Sequence, residues 1–263
     1  MTNNSDATAV QRERDSEVAK VQILGAPVSR LTMRQAVEIV RRAWKGDAAF
    51  HVVTANAEML YRCSKDQILA KIVAAADLVT ADGAGVVLAS KILGSPVPQR
   101  VAGFDLMTEC LKEAAAVAVP VFFLGSHPQS LQQAMANARS YYPNLNVVGG
   151  HHGYFAEDEE EKILEQIIKL KPSLLLVALG VPKQEKWIFK YKEKLPPCVV
   201  IGVGGSFDVL AGKARRAPVW MQRAGLEWFY RFLKEPSRLG RILLLPLFLL
   251  AVFAQALKQR LFS

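Results

Sequence analysis

Residues 78–87, LVTADGAGVV, pass from a strand pattern to a helix pattern with an acid and two glycines between them. Val79 and Thr80 are β-branched and suit a strand. Gly83 and Gly85 allow close backbone approaches that a side chain would block, and the run from Gly85 to Ala89 begins a helix. Asp82 is therefore predicted at the carboxyl end of a strand and beside a helix N-terminus. Open α/β sheets bind their ligands along that edge. A carboxylate there can be a base, a ligand for a sugar or a metal, or a helix cap, and the stretch alone leaves these open.

The same alternation extends in both directions. Apolar strand runs fall at residues 21–24, 50–54, 121–124, 146–148, 173–179 and 199–203. Between them, helical periodicity marks residues 31–44, 57–63, 67–76, 86–93, 105–118, 128–141, 157–170 and 182–194. Continuous apolar strands are those covered on both faces. The fold class is thus α/β, a Rossmann-like, mostly parallel sheet with helices on both faces. Several strands run into small or polar residues, at Thr54-Ala55-Asn56, Asp82-Gly83, Gly125-Ser126, Gly180-Val181-Pro182 and Gly204-Gly205. These ends are expected to gather at one edge.

Charge divides the chain. Of its net +9, residues 212–263 carry +8, and residues 1–211 only +1. We expect a disordered segment at 1–19, an α/β catalytic domain at 20–211 and a basic helical appendage at 212–263 that associates with membranes. Such asymmetry calls for an anionic partner: nucleic acid, a membrane surface or phosphates. Residues 219–234 read as one aromatic-rich helix. Residues 242–254 hold no charge, and even to residue 257 the stretch is 16 residues, about 24 Å as a helix. A bilayer core needs about 20 residues, and Pro246 interrupts the run. The expectation is a segment lying in or dipping into one leaflet between cationic flanks; the alternative is a terminal helix packed on the body or on a second subunit. The first 20 residues lack the apolar core of a signal peptide, and three scattered cysteines suit a reducing compartment.

The motifs exclude more than they assign. Residues 202–208, GVGGSFD, follow a strand and open a helix, so backbone N–H groups there can hold a diphosphate. Phe207 replaces the third glycine of a dinucleotide fingerprint, and no GK[ST] follows. Asp208 can bond a ribose or base, or cap the helix. His151 and His152 are adjacent and read as a surface turn, and His51 as a buried structural residue. There is no zinc spacing, no GxSxG and no DxD after a strand. Neither a metal nor a cofactor is expected. A metal-free transferase needs cations for a departing diphosphate; the tail and Arg100 are the candidates.

Taken in order, these pieces resemble the WecG/TagA/CpsF family, glycosyltransferase family 26: TANAE at 54–58, ADGAGVV at 81–87, RVAGFDL at 100–106, FLGS at 123–126, GVPKQE at 180–185, GVGGSFD at 202–208, RAP at 216–218, GLEW at 225–228 and EPSR at 235–238. The similarity runs from about residue 21 to 241. It implies an inverting, metal-independent transferase that moves an N-acetylmannosamine-type sugar, or its uronic acid, from a UDP donor. The implied acceptor is N-acetylglucosamine on a polyprenyl diphosphate, in cell-envelope polysaccharide or teichoic-acid-type synthesis. The implied base is Asp82. Thr54, Asn56, Arg100 and Gln184 are implied to line the pocket, Asp208 to meet the donor nucleotide, and Arg231, Arg238 and Arg241 to close over the diphosphate. The resemblance places the protein in the cytoplasm, peripheral on the inner face of the cell membrane, with no nucleic-acid partner; a homo-oligomer stays open. The alternatives are a non-catalytic, membrane-docked nucleotide-sugar binder that regulates an envelope pathway, and a Rossmann-type oxidoreductase. The missing fingerprint opposes the latter.

Overall fold

The computed structural model describes residues 18–234, 240 and 243–261. Most of the N-terminal segment expected to be disordered thus lies outside the described residues. The described chain opens with an antiparallel hairpin, β1 (Lys20–Ile23) and β2 (Ala26–Ser29). Leu24 and Gly25 turn it with φ of 49° and 85°, the mirror-image turn that matches strand twist. The sequence predicts only one strand here. Pro27 hides the second, although proline is tolerated on an edge strand.

The apolar runs pair as β3 (Phe50–Ala55), β4 (Leu78–Ala81), β5 (Val121–Gly125), β6 (Val147–His151), β7 (Leu174–Ala178) and β8 (Val199–Gly202). All are parallel, in the order β4-β3-β8-β7-β5-β6. Successive residues face opposite sides. Val121 and Phe123 enter one core, Phe122 and Leu124 the other. The first face is covered by α1 (Met33–Ala43), and later by α5 (Gly103–Ala116), α6 (Pro128–Tyr141) and α9 (Ser206–Leu210). The second carries the hairpin with α2 (Ala57–Cys63), α3 (Gln67–Ala74) and α4 (Ala84–Ile92), and beside them α7 (Glu160–Leu170) and α8 (Lys183–Tyr191). This is the expected α/β class.

The appendage departs from expectation twice. The single helix predicted at 219–234 is two, α10 (Val219–Arg223) and α11 (Glu227–Lys234). Gly225 breaks it at φ 73°, and a β-carbon there would stand 2.6 Å from that of Ala84. The terminal apolar run is longer than expected: α12 spans Leu244–Leu261, 18 residues. Pro246 sits in its first turn, where the missing N–H breaks no helical bond, and Lys258 and Arg260 belong to its last turn. By length and composition α12 could cross a membrane. Here it packs along the body. Phe248 and Val252 join the core under α2 and α4. Gln255 accepts from the Leu24 N–H at 2.8 Å and donates to the Gln22 carbonyl at 2.7 Å. On the opposite side Leu243, Leu247, Leu250, Leu257 and Leu261 are exposed.

Candidate active site

The carboxyl ends of the strands gather as predicted. β5 continues outward to β6 while β7 continues inward to β8. A crevice opens where connections part in this way, and Gly125-Ser126 and Gly180 border it. At the other end of the edge, the Asp82 N–H donates to the Ala55 carbonyl at 2.8 Å and ties β4 to β3.

Asp82 does not cap α4. The cap position belongs to Gly83, with φ 95° and no side-chain bond. The Asp82 carboxylate turns to α5 instead, where Oδ2 accepts from the Gly103 N–H at 3.2 Å. This contact exists because α5 starts at Gly103, two residues before the predicted 105. Thr54 lies beside the same helix end: a β-carbon on Gly103 would come within 2.9 Å of its Oγ1. The Thr54 hydroxyl donates to the Gly202 carbonyl at 2.9 Å and so links β3 to β8. Asn56 caps α2, its Oδ1 accepting from the Met59 N–H at 2.9 Å.

Gln184 is 2% exposed and binds protein atoms. Its Oε1 accepts from the Gly180 N–H at 3.2 Å and the Gly204 N–H at 3.0 Å, and so braces the loops after β7 and β8. Its Nε2 donates to Glu185 Oε1 at 2.7 Å. Glu185 is 1% exposed, and burial pushes its carboxyl up to about 7. Asp208 accepts from the Ser126 hydroxyl at 3.1 Å, which joins α9 to the turn after β5. His151 closes edge strand β6 rather than a surface turn, with its ring edge-on to Phe155 at 5.8 Å. His51 is buried as expected, and burial lowers its pKa to about 4.

Arg100 belongs to a four-membered charge cluster. It pairs with Glu227 and lies 3.7 Å from Asp105. Arg216 donates through Nη1 and Nη2 to the two Asp105 oxygens at 2.5 and 3.2 Å, lies 3.5 Å from Glu227, and stacks 4.9 Å from the centre of the Phe104 ring. Two cations and two carboxylates thereby join the appendage to the body. Burial opposes the charge on Arg216, but Asp105 and Glu227 hold its pKa above the ordinary value. A second joint lies at the ADGAG loop, where a β-carbon on Gly85 would meet Leu245 Cδ1 at 2.9 Å. Of the tail arginines, Arg231 falls within α11, whereas Arg238 and Arg241 lie outside the described residues. Asp105, Ser126, Glu185, Arg216 and Glu227 were not singled out from the sequence. All five fall inside quoted motifs, but the pairings of Ser126 with Asp208, Asp105 with Arg216 and Glu227 with Arg100 span 82, 111 and 127 positions, and that of Glu185 depends on burial.

A parallel sheet with a carboxylate, a threonine and helix N-termini along its carboxyl edge, beneath a basic appendage, belongs to the α/β transferase class. The chain belongs to the glycosyl transferase WecG/TagA/CpsF family, whose sequence model matches residues 21–261. It is a glycosyltransferase, of the family that its motifs resemble. Its relatives include proteins named N-acetylglucosaminyldiphosphoundecaprenol N-acetyl-beta-D-mannosaminyltransferase in Staphylococcus aureus strains MW2 and NCTC 8325. Each is 36% identical over 239 residues, covering 90% of this chain and 93% of the relative.

Proposed function

We propose that the protein transfers an N-acetylmannosamine-type sugar from a UDP donor to N-acetylglucosamine-diphosphate-polyprenol, with inversion. Asp82 removes the proton from the acceptor hydroxyl while that oxygen attacks the anomeric carbon and the bond to UDP breaks. The observation that carries this reading is the placement of Asp82. Its carboxylate stands beyond β4, next to the first N–H of α5 and close to Thr54, and does not serve as the cap of its own helix. Gln184 holds the loops after β7 and β8 through the Gly180 and Gly204 N–H groups, and the donor diphosphate lies against those loops. Asp208, held by Ser126, suits the nucleoside. Arg231, Arg238 and Arg241 supply positive charge for the leaving UDP.

A lipid-linked acceptor puts the enzyme at a membrane surface. The exposed stripe of α12, with Trp220 and Trp228 exposed on α10 and α11, forms the apolar side of that contact. The +8 appendage favours the anionic cytoplasmic leaflet. The test is Asp82→Asn with a panel of UDP-sugars and a short-chain acceptor. Transfer should fall about 10²- to 10⁴-fold while UDP binding persists. Unchanged transfer would remove Asp82 as the base, and UDP binding with no transfer from wild-type protein would favour the regulator reading.

A further inference from the structure

We propose that the cleft between the carboxyl ends of α4 and α12 binds the phosphate of an anionic membrane phospholipid. The cleft has a volume of about 250 Å³ and is lined by Lys91, Ile92, Phe253, Ala256, Leu257 and Arg260. That is below the usual size of a site enclosing a whole small molecule, and is suited to a headgroup. Among the described residues its wall is mostly apolar, its charges are the two cations, and no acid lines it. Among the described residues neither cation has an ion pair, whereas Arg100, Arg216, Lys190 and Lys192 all do. An unpaired Lys–Arg couple over an apolar floor matches a phosphate with acyl chains beneath it.

The setting selects a lipid over a free anion. α12 is apolar on both sides. Phe248, Val252 and Ala256 are buried against the body, and the leucine stripe at 243, 247, 250, 257 and 261 faces out. Leu257 belongs to both stripe and cleft, so one continuous surface carries acyl contact and phosphate contact. The bonds of Gln255 to the hairpin keep the helix on the body, which leaves it in the plane of the interface. The site is separate from the catalytic edge. Leu245 marks the Asp82 end by its contact with Gly85, and Lys91 stands seven residues beyond Ala84 on α4, about 10 Å further along. A headgroup held there fixes how the stripe lies on the bilayer, and therefore which way the Asp82 edge faces.

This inference rests on the membrane-facing reading above, and the experiment separates the two. The full chain is sedimented with vesicles of phosphatidylcholine, of phosphatidylcholine mixed with phosphatidylglycerol, and of phosphatidylcholine mixed with oleate at equal charge. The variant is Lys91→Ala with Arg260→Ala; the control is Lys162→Ala with Lys169→Ala on α7. With each basic residue near the surface worth about 1 kcal/mol, the cleft variant should bind phosphatidylglycerol vesicles about thirtyfold more weakly. It should match wild type on phosphatidylcholine, and the control should change little. Wild type binding no vesicle sinks the membrane reading itself. Wild type binding while the cleft variant keeps its affinity, or loses no more than the control, overturns the headgroup site. An equal loss on oleate vesicles replaces a phosphate site with a general cation patch. A lower melting temperature with unchanged vesicle binding reduces both cations to complements of their helix ends.

Discussion

Replacing Glu185 with glutamine should stabilise the protein above neutral pH and do little in mild acid. The side chain is 1% exposed. Oε1 accepts from Gln184, and Oε2 has no hydrogen-bond partner among the described residues. Burial pushes the carboxyl from 4.5 up to about 7 against the opposing pull of the Gln184 bond, and the Cys63 thiol faces the same buried charge. A raised carboxyl means that the folded state holds its proton more tightly than the unfolded one. The stability it contributes is therefore complete below about 4.5 and is lost as pH rises through about 7. At 1.36 kcal/mol per unit, the loss is roughly 3 kcal/mol. His51 slopes the other way: its pKa is lowered to about 4, so its contribution is present above 6.5 and lost as pH falls. The wild-type curve alone thus mixes the two, and the difference between wild type and Glu185→Gln isolates Glu185. Glutamine keeps an acceptor for Gln184 and cannot ionise. Urea unfolding should give nearly equal stability at about pH 4, and at about pH 8 a variant more stable by up to roughly 3 kcal/mol. A difference independent of pH would refute the buried-charge account. A variant less stable at pH 8 would mean that the ionised carboxylate holds Gln184 more strongly than burial opposes it.

Two further outcomes follow from the joints between appendage and body. Glu227→Ala leaves Arg100 and Arg216 sharing Asp105; we expect faster proteolysis between residues 212 and 226, and a loss of about 1–3 kcal/mol in urea unfolding. Phe248→Ala empties a fully buried site on α12 and should cost about 3–5 kcal/mol by the same measurement. A loss under about 1 kcal/mol would mean that α12 is not seated on α2 and α4 in solution.

The sheet was legible because β5, β7 and β8 are unbroken apolar runs, as expected of strands covered on both faces. The carboxyl edge was legible for the same reason: where those runs stop, the small and polar residues stand together. Asp82 could be placed from its neighbours, but its partner could not: that is Gly103, 21 residues on, which opens α5 two residues before the predicted start. The amide of Gln184 sits inside and braces two loops, contacts that its motif does not announce. No local pattern reveals that Arg100 meets Glu227 across 127 residues, or that Gly225 breaks a helix against Ala84. The reach of α12 was underestimated because Lys258 and Arg260 were read as flanks, whereas cations in a last turn are compatible with one helix.

The clasp between Gln255 and the hairpin at Gln22–Leu24 joins the first described strands to the last helix. Synthesis runs from one to the other. While the ribosome is still making the chain, the hairpin, α2 and α4 are already out, and the seat for Phe248 and Val252 stays open. The apolar helix emerges after them and must choose between that seat and any lipid or apolar surface nearby. Contacts separated by more than 230 residues are the slowest kind to form. Seating α12 is therefore a late step of this fold, and a chain stopped a few residues short of Gln255 would carry the apolar first half of the helix without the clasp that turns it inward.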